Sequence, residues 1–360
     1  MLFQNKTILV TGGTGSMGKT FVRRVLSGEE GIPKKLIVFS RDEAKQHAMR
    51  MEYQNMVVAT DETIYNNFKH ILEFRIGDVR SYHDVCASLR GVDIVVNAAA
   101  LKQVPTCEYF PEQALATNCQ GPENIVRAIR EHAFPVETVI AISTDKACKP
   151  VNAMGITKAL QERIFIAANI FSQTRFIGVR YGNVLASRGS VIPLFHEQIR
   201  NGGPVSITVP GMTRFLMSIH EAVSTVFAAL AHALPGEIFV PIAPSSTVLD
   251  IAQALIGSMD IPIKTIGIRP GEKIHEILIS EEESIRTVKR GNYYSIRPML
   301  PELNVHDCEE AYEKNPFSKN KEFSSEHAVL SLKDTRALLD RHQLLFDPQS
   351  PSGGFGEMIA

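Results

Sequence analysis

The sequence predicts an α/β fold: a Rossmann-type doubly wound parallel sheet followed by a smaller C-terminal domain. Three observations predict it. Short runs rich in Val and Ile, such as KTILVT from Lys6 and IVVN from Ile94, lack polar alternation and read as strands covered on both faces. Segments of helical period lie between them, the alternation expected of parallel strands joined by helical crossovers. At the first strand–helix junction stands a glycine-rich turn, TGGTGSMG from Thr11 to Gly18.

The expected strands, in order, are Lys6 to Thr11, Lys35 to Phe39, Phe74 to Ile76, Ile94 to Asn97, Val139 to Ser143 and Arg175 to Arg180. Helices are expected over Gly18 to Leu26, Pro111 to His132 and Ala153 to Ile170. After Asn183 the pattern loosens into shorter pieces with more Gly and Pro, such as NGGP at Asn201 and RPGEK at Arg269. This shift sets the expected domains: 1–182, joined by about 219–243 with the helix His220 to Ala233, and a smaller one from 183–218 and 244–300. Residues 301–360 form a polar, turn-rich tail that could be a latch over a site or a subunit contact.

Composition excludes several classes. In 360 residues, 38 Lys and Arg face 39 Asp and Glu, a net charge of −1 that provides no cationic surplus for holding nucleic-acid backbones. With 44% hydrophobic and 21% charged residues the chain is ordinary for a globular protein and not for a disordered one. The five cysteines are odd in number and none pair at CxxC spacing, which fits a reducing compartment and no disulfide scaffold. No HxxxH or HxE spacing suggests a metal site. The N-terminus lacks a basic leader, and VFAALAHAL from Val226 is too short to span a bilayer, so a soluble cytoplasmic protein is expected.

Gly12, Gly15 and Gly18, with Thr14, Ser16 and Met17 between them, let a backbone turn tightly and approach a pyrophosphate at a helix N-terminus. At the end of the second strand, where an acid would bind the ribose 2′-hydroxyl of NAD, stand Ser40, Arg41 and Lys45. A hydroxyl and two cations suit a 2′-phosphate, so NADP is the expected cofactor. Ser40 also fits a helix N-cap, with Glu43 at capping-box spacing. Asp78 and Val79 are expected beside the adenine, Ala98, Ala99 and Ala100 against the cofactor, and Asn118 and Tyr181 complete its contacts. Thr144, Asp145 and Lys146 lie at the end of the fifth strand, where open α/β sheets bind ligands. An adjacent carboxylate and amine can act as acid and base.

The motifs TGxxGxxG, SRDE, GDVR, NAAALKQVP, STDKA, MGxTK, RYGNV, SRGSVIPLF and MTRFLMS, in this order, resemble the extended short-chain dehydrogenase/reductases of polysaccharide synthesis. Within these the resemblance is nearest to the 5-inverting UDP-N-acetylglucosamine 4,6-dehydratases of capsule and O-antigen synthesis. It runs from about Thr7 to Leu300 and fades over the tail, where only KEFSS near Lys321 is similar. One position departs from the wider superfamily: Met154 stands where the Tyr of YxxxK would be, while Lys158 is kept. A thioether cannot take a hydroxyl proton. The resemblance is to a branch that carries Met here and assigns the acid–base work to the Thr-Asp-Lys triplet.

That resemblance implies hydride transfer from carbon 4 of the hexose to NADP, proton removal from carbon 5 by Lys146, and protonation of the departing 6-hydroxyl by Asp145. Hydride return to carbon 6 then gives a 4-keto-6-deoxy sugar. Thr144 would bond the oxygen on carbon 4 and Lys158 the nicotinamide ribose. Asn183, Arg188, Arg214, Arg269 and Glu272 would hold the UDP, with Lys102 and Gln103 bordering the sugar. Two other enzyme readings stay open, a UDP-sugar 4-epimerase and a 5-retaining dehydratase, as does a non-catalytic NADP sensor. Relatives of this fold form dimers through two long helices, here Glu112 to His132 and Met154 to Ile170, and the dehydratases are often hexamers.

Overall fold

The computed structural model describes residues 1–55, 58–185, 190–303, 313–314 and 322–347. Six parallel strands, β1 (Thr7–Thr11), β2 (Lys35–Ser40), β3 (Leu72–Ile76), β4 (Ile94–Asn97), β5 (Thr138–Thr144) and β6 (Arg175–Tyr181), run in the order β3-β2-β1-β4-β5-β6. The order reverses between β1 and β4, which opens a crevice at their C-terminal ends. Beyond β6 the sheet continues with Ile238–Pro241, parallel to β6, and then with the antiparallel strands Tyr293–Ile296 and Thr287–Arg290.

The inner strands are buried because apolar layers cover both faces, whereas β3 at the sheet edge is half-buried and its Ile76 is exposed. Phe3, Phe21 and Phe227 meet edge to face at 5.1–5.9 Å on one face, and Phe165 stacks on Phe176 at 5.8 Å on the other. The helix Ile219–His232 belongs to the first layer, with Val223, Val226 and Leu230 in its core. A separate core forms farther along the chain, where the helices Val191–Arg200, Val248–Ile256 and Leu332–Arg341 enclose Phe195, Ile251, Leu255 and Leu339. A smaller cluster joins that region to the sheet through Phe215, Leu278, Ile279 and Phe323.

Two sequence expectations are corrected. The helix expected over Pro111 to His132 is three pieces: Pro111–Leu115, a π-helical turn over Ala116–Gln120, and Gly121–His132. Pro122 has no N–H to continue the regular ladder, and the Gly121 N–H bonds the Ala116 carbonyl five residues back. Ser40 is not a helix cap. Asp42 takes that place, accepting the Lys45 N–H, and Ser40 is buried within the last turn of β2. The acidic run Glu281–Glu283 does start a helix capped by Ser280, but Glu283 turns inward.

Candidate active site

The strand ends and the second core face each other across one cleft of about 1180 Å³. Its near wall is the glycine turn. Gly12 has φ of +65°, and a Cβ there would stand 2.7 Å from the Ala99 nitrogen, so only glycine fits between β1 and β4. Thr11 fixes that junction, donating to Asn97 Oδ1 at 2.8 Å and accepting the Ala99 N–H at 3.2 Å. The helix Ser16–Leu26 begins at Gly15, which supplies no side-chain cap, and its first turn has no acid. Its leading N–H groups and positive dipole end therefore face the cleft, ready for an anion.

At the end of β2, Thr14 and Ser40 hydroxyls meet at 3.1 Å, and Ser40 Oγ accepts the Asp42 N–H at 3.2 Å. Arg41 lies 3.7 Å from Asp78, and Lys45 pairs with Asp42 at 2.5 Å. Burial acts to raise the Asp78 carboxyl, but Arg80 and then Arg41 hold it below the usual carboxylate range. Both cations stand at the cleft wall.

The far wall carries the reactive groups. Lys158 is buried and donates to the Ile142 carbonyl at 2.5 Å and Gln161 Oε1 at 2.7 Å, and burial draws its pKa down to about 8. Met154 packs with Cys107 and Ala114 and lines the cleft. A Cβ on Gly155 would lie 2.2 Å from the Lys146 carbonyl, which shows how tightly the helix Ala153–Ala168 is pressed on the Asp145–Ala147 turn. Asn152 caps that helix, accepting the Gly155 N–H, and donates to the Gly271 carbonyl, so the helix is tied to the RPGEK loop.

Asp145 is fully buried and does not line the cleft. Its Oδ1 accepts Thr144 Oγ1 at 2.8 Å and Lys146 Nζ at 3.0 Å, while Oδ2 has no partner among the described residues. On the other side of Lys146 Nζ, Glu276, also buried, sets Oε1 3.5 Å from it and 3.8 Å from Arg214 Nε. Its Oε2 likewise has no hydrogen-bond partner among the described residues. Burial first, and then the Asp145 charge, raise the Glu276 carboxyl. For Lys146 burial acts downward, but the charges of Asp145 and Glu276 outweigh it and hold its pKa above the usual lysine value.

Nearly all the residues expected from the sequence line this cleft, including Tyr181, Asn183, Arg214, Arg269, Glu272 and Lys102. Three do not. Arg188 lies outside the described residues. Asn118, expected on the cofactor, is swung inward by the π turn. Its amide is consumed by both backbone groups of Leu101 and by Thr157 Oγ1, so it shapes the loop after β4 and does not line the cleft. Asp145, expected to reach the substrate directly, is screened behind Thr144 and Lys146. Glu276 and Lys273, which line the cleft, were missed: each is one charged residue in a polar loop with no local signal. Unpartnered buried oxygens also gather at this wall on Asn183, Ser190 and Glu272, as expected of a surface built for a polar ligand.

Residues 8–298 match the family model described as "Polysaccharide biosynthesis protein". A UDP-glucose 4-epimerase of Rickettsia bellii (strain RML369-C) is 45% identical over 302 residues, 82% of this chain and 84% of that protein. The X-ray structure of Pen from Bacillus thuringiensis superposes with a TM-score of 0.83 at 32% identity, covering 96% of this chain and all of that one. DesIV, a dTDP-glucose 4,6-dehydratase of Streptomyces venezuelae solved with NAD, shares the fold, with a TM-score of 0.61 at 20% identity over 74% of this chain and 86% of that one. The glycine turn on the reversal point of the sheet, the retained Lys158 and these likenesses agree: the chain belongs to the polysaccharide biosynthesis protein family of extended short-chain dehydrogenase/reductases.

Proposed function

We propose that the protein is an NADP-dependent UDP-N-acetylglucosamine 4,6-dehydratase that inverts carbon 5 and serves surface polysaccharide synthesis. The observation that carries this reading is the buried carboxylate–lysine pair Asp145–Lys146 at the end of β5, beside a Met154 that cannot act as base. Oxidation and re-reduction at carbon 4 would use the carboxylate through Thr144 but would have no use for the Lys146 amine, which proton removal from carbon 5 requires.

The uncapped N-terminus of the helix Ser16–Leu26, the Gly12 cradle against Ala99 and the cations Arg41 and Lys45 suit a dinucleotide with a 2′-phosphate. Lys158, with its lowered pKa, would hold the nicotinamide ribose. Bound there, NADP supplies a hydride acceptor at carbon 4 and its reduced form a donor at carbon 6. The Thr144 hydroxyl, which faces the cleft and donates to Asp145, would pass the carbon-4 hydroxyl proton to that carboxylate, the task the missing tyrosine performs elsewhere. Lys146 would take the proton from carbon 5, acidified once carbon 4 is a ketone. Asn183, Arg214, Arg269 and Glu272 offer the amide and guanidinium contacts for UDP. The exposed Leu115 at the end of the short helix Pro111–Leu115, and Ile156 and Leu160 on the helix Ala153–Ala168, support a dimer formed through this face.

A UDP-sugar 4-epimerase is the second reading, favoured by the name of the Rickettsia relative. Incubation with UDP-N-acetylglucosamine in deuterium oxide, read by proton NMR, separates the two. The dehydratase yields a 6-deoxy methyl signal with deuterium at carbon 5; UDP-N-acetylgalactosamine alone, with no methyl, would replace this reading by the epimerase.

A further inference from the structure

Elimination across carbons 5 and 6 needs an acid for the departing hydroxyl, and Asp145 has no surface in the cleft. We propose that Glu276 is that acid: a catalytic residue that shares one proton with Lys146 and delivers it to the 6-oxygen. The inference rests on the dehydratase reading.

The geometry is specific. Glu276 lines the cleft, which Asp145 does not, and comes from a segment 130 residues beyond Lys146 in the chain. Its Oε1 lies 3.5 Å from Lys146 Nζ, and its Oε2 is buried without a hydrogen-bond partner among the described residues, an arrangement costly for a purely structural carboxylate. The C-terminal tail holds it there. The Glu276 N–H donates to Ser325 Oγ at 2.9 Å, Ser325 N–H returns a bond to the Glu276 carbonyl at 2.8 Å, and Ser325 Oγ and Thr213 Oγ1 meet at 2.6 Å. Phe323–Ser324 extends the contact as a strand against Ile277–Ile279. The expected latch is thus, in its described part, a clamp on the backbone that bears this carboxyl.

One proton serves both groups. As ammonium and carboxylate the pair is inert toward carbon 5; as amine and carboxylic acid, with the same proton count, it is a base and an acid side by side. Filling the cleft with a sugar nucleotide excludes water, and a drier site favours the uncharged form. The step then balances. Lys146 takes the carbon-5 proton, the carbon 5–carbon 6 double bond forms, the carbon 6–oxygen bond breaks, and Glu276 gives its proton to the oxygen, which leaves as water. Lys146 is now an ammonium and Glu276 a carboxylate. Water supplies the proton to carbon 5 on the face opposite Lys146, Lys146 gives its own proton back to water, and the proton that Asp145 collected from the carbon-4 hydroxyl passes along the Asp145–Lys146–Glu276 row at 3.0 and 3.5 Å to Glu276, which restores the starting state.

The test is Glu276→Gln in the cofactor-loaded full-length protein, incubated with UDP-N-acetylglucosamine in deuterium oxide beside the wild type, Glu276→Asp and Lys146→Ala. Methyl formation should fall about 100-fold or more in Glu276→Gln, yet deuterium should still enter carbon 5 of the recovered sugar, because the base survives without the acid. Lys146→Ala should show neither, and Glu276→Asp, which keeps an acid, should recover part of the methyl formation. The unfolding midpoint of Glu276→Gln should stay near wild type. Methyl formation by Glu276→Gln within tenfold of wild type overturns the proposal. So does loss of both methyl and deuterium signals in Glu276→Gln with UDP binding intact, which would make the residue a positioning one. A wild type that forms no methyl product removes the dehydratase reading and this inference together.

Discussion

Two buried charge clusters stand side by side in this molecule and have opposite characters. Arg180 on β6 is paired in the sheet with Ser143 on β5, three residues before Lys146. Its guanidinium is fully buried, and its donors are all taken: Glu162 receives bonds from Nε at 3.1 Å and Nη2 at 2.6 Å, Glu283 from Nη1 at 2.7 Å and Nη2 at 2.9 Å, and the Leu278 carbonyl from Nη1 at 2.9 Å. The Lys146 cluster draws its second carboxylate from the same stretch, 276–283, yet leaves one oxygen of Asp145 and one of Glu276 without a hydrogen-bond partner among the described residues and opens on the cleft. Burial of charge alone therefore does not mark a site. What marks it is charge that the fold buries and leaves incompletely satisfied where a ligand can enter.

The sharpest way to break this comparison is to remove the cation from each cluster. Lys146→Met should lower turnover by about 10²–10⁴ fold while urea unfolding moves little, since the facing carboxylates can take up a proton. A stability loss as large as the turnover loss would make the cluster structural after all.

Arg180→Leu should do the reverse, costing about 3–5 kcal/mol of stability because it strands Glu162 and Glu283 as buried carboxylates. Urea denaturation at neutral pH measures it. The same cluster sets an acid limit. Burial acts to raise Glu283, but Arg180 holds it at about 2, against a usual value of 4.5. Its contribution is therefore fully present above pH 4.5 and is lost as the pH falls toward 2. Arg180→Leu should flatten the acid-unfolding curve in that window; an unchanged curve would contradict the pairing.

The smallest effect tests the exposed counterpart. Lys149 pairs with Glu322 at 2.7 Å and ties the turn after Lys146 to the tail, with the lysine side chain 40% exposed. Water screens such a pair, so Lys149→Ala should cost less than about 1 kcal/mol in thermal unfolding. A larger loss would show that the tail is clamped by charge and not by the Ser325 bonds and the Phe323 packing.

Much of the first half of the chain was legible from the residues alone. The run KTILVT, the glycine turn and the helix after it are contiguous, and the strand ends at Ser40, Asp78, Ala98 and Thr144 each follow a Val/Ile-rich run or its neighbour. The two sites misread there were local events with a non-local cause. Asn118 turned inward because Pro122 forces a wide turn and because Leu101 and Thr157 wait to receive its amide. Asp145 was correctly placed at the strand end, but the side of the turn it faces depends on how closely Gly155 lets the next helix approach.

The sequence by itself determined the doubly wound sheet, the anion-binding turn and the Thr144–Lys146 triplet, because hydrophobic periodicity, glycine geometry and strand-end position act over a few residues. Only the tertiary structure decided that Glu276 faces Lys146, that Glu283 turns in to Arg180, and that Ser325 clamps the strand between them. Those partners are separated by 130, 103 and 49 residues. No local pattern encodes such pairings, since each arises only when the separately folded core around Phe195 and Leu255 and the returning tail close over the end of the sheet.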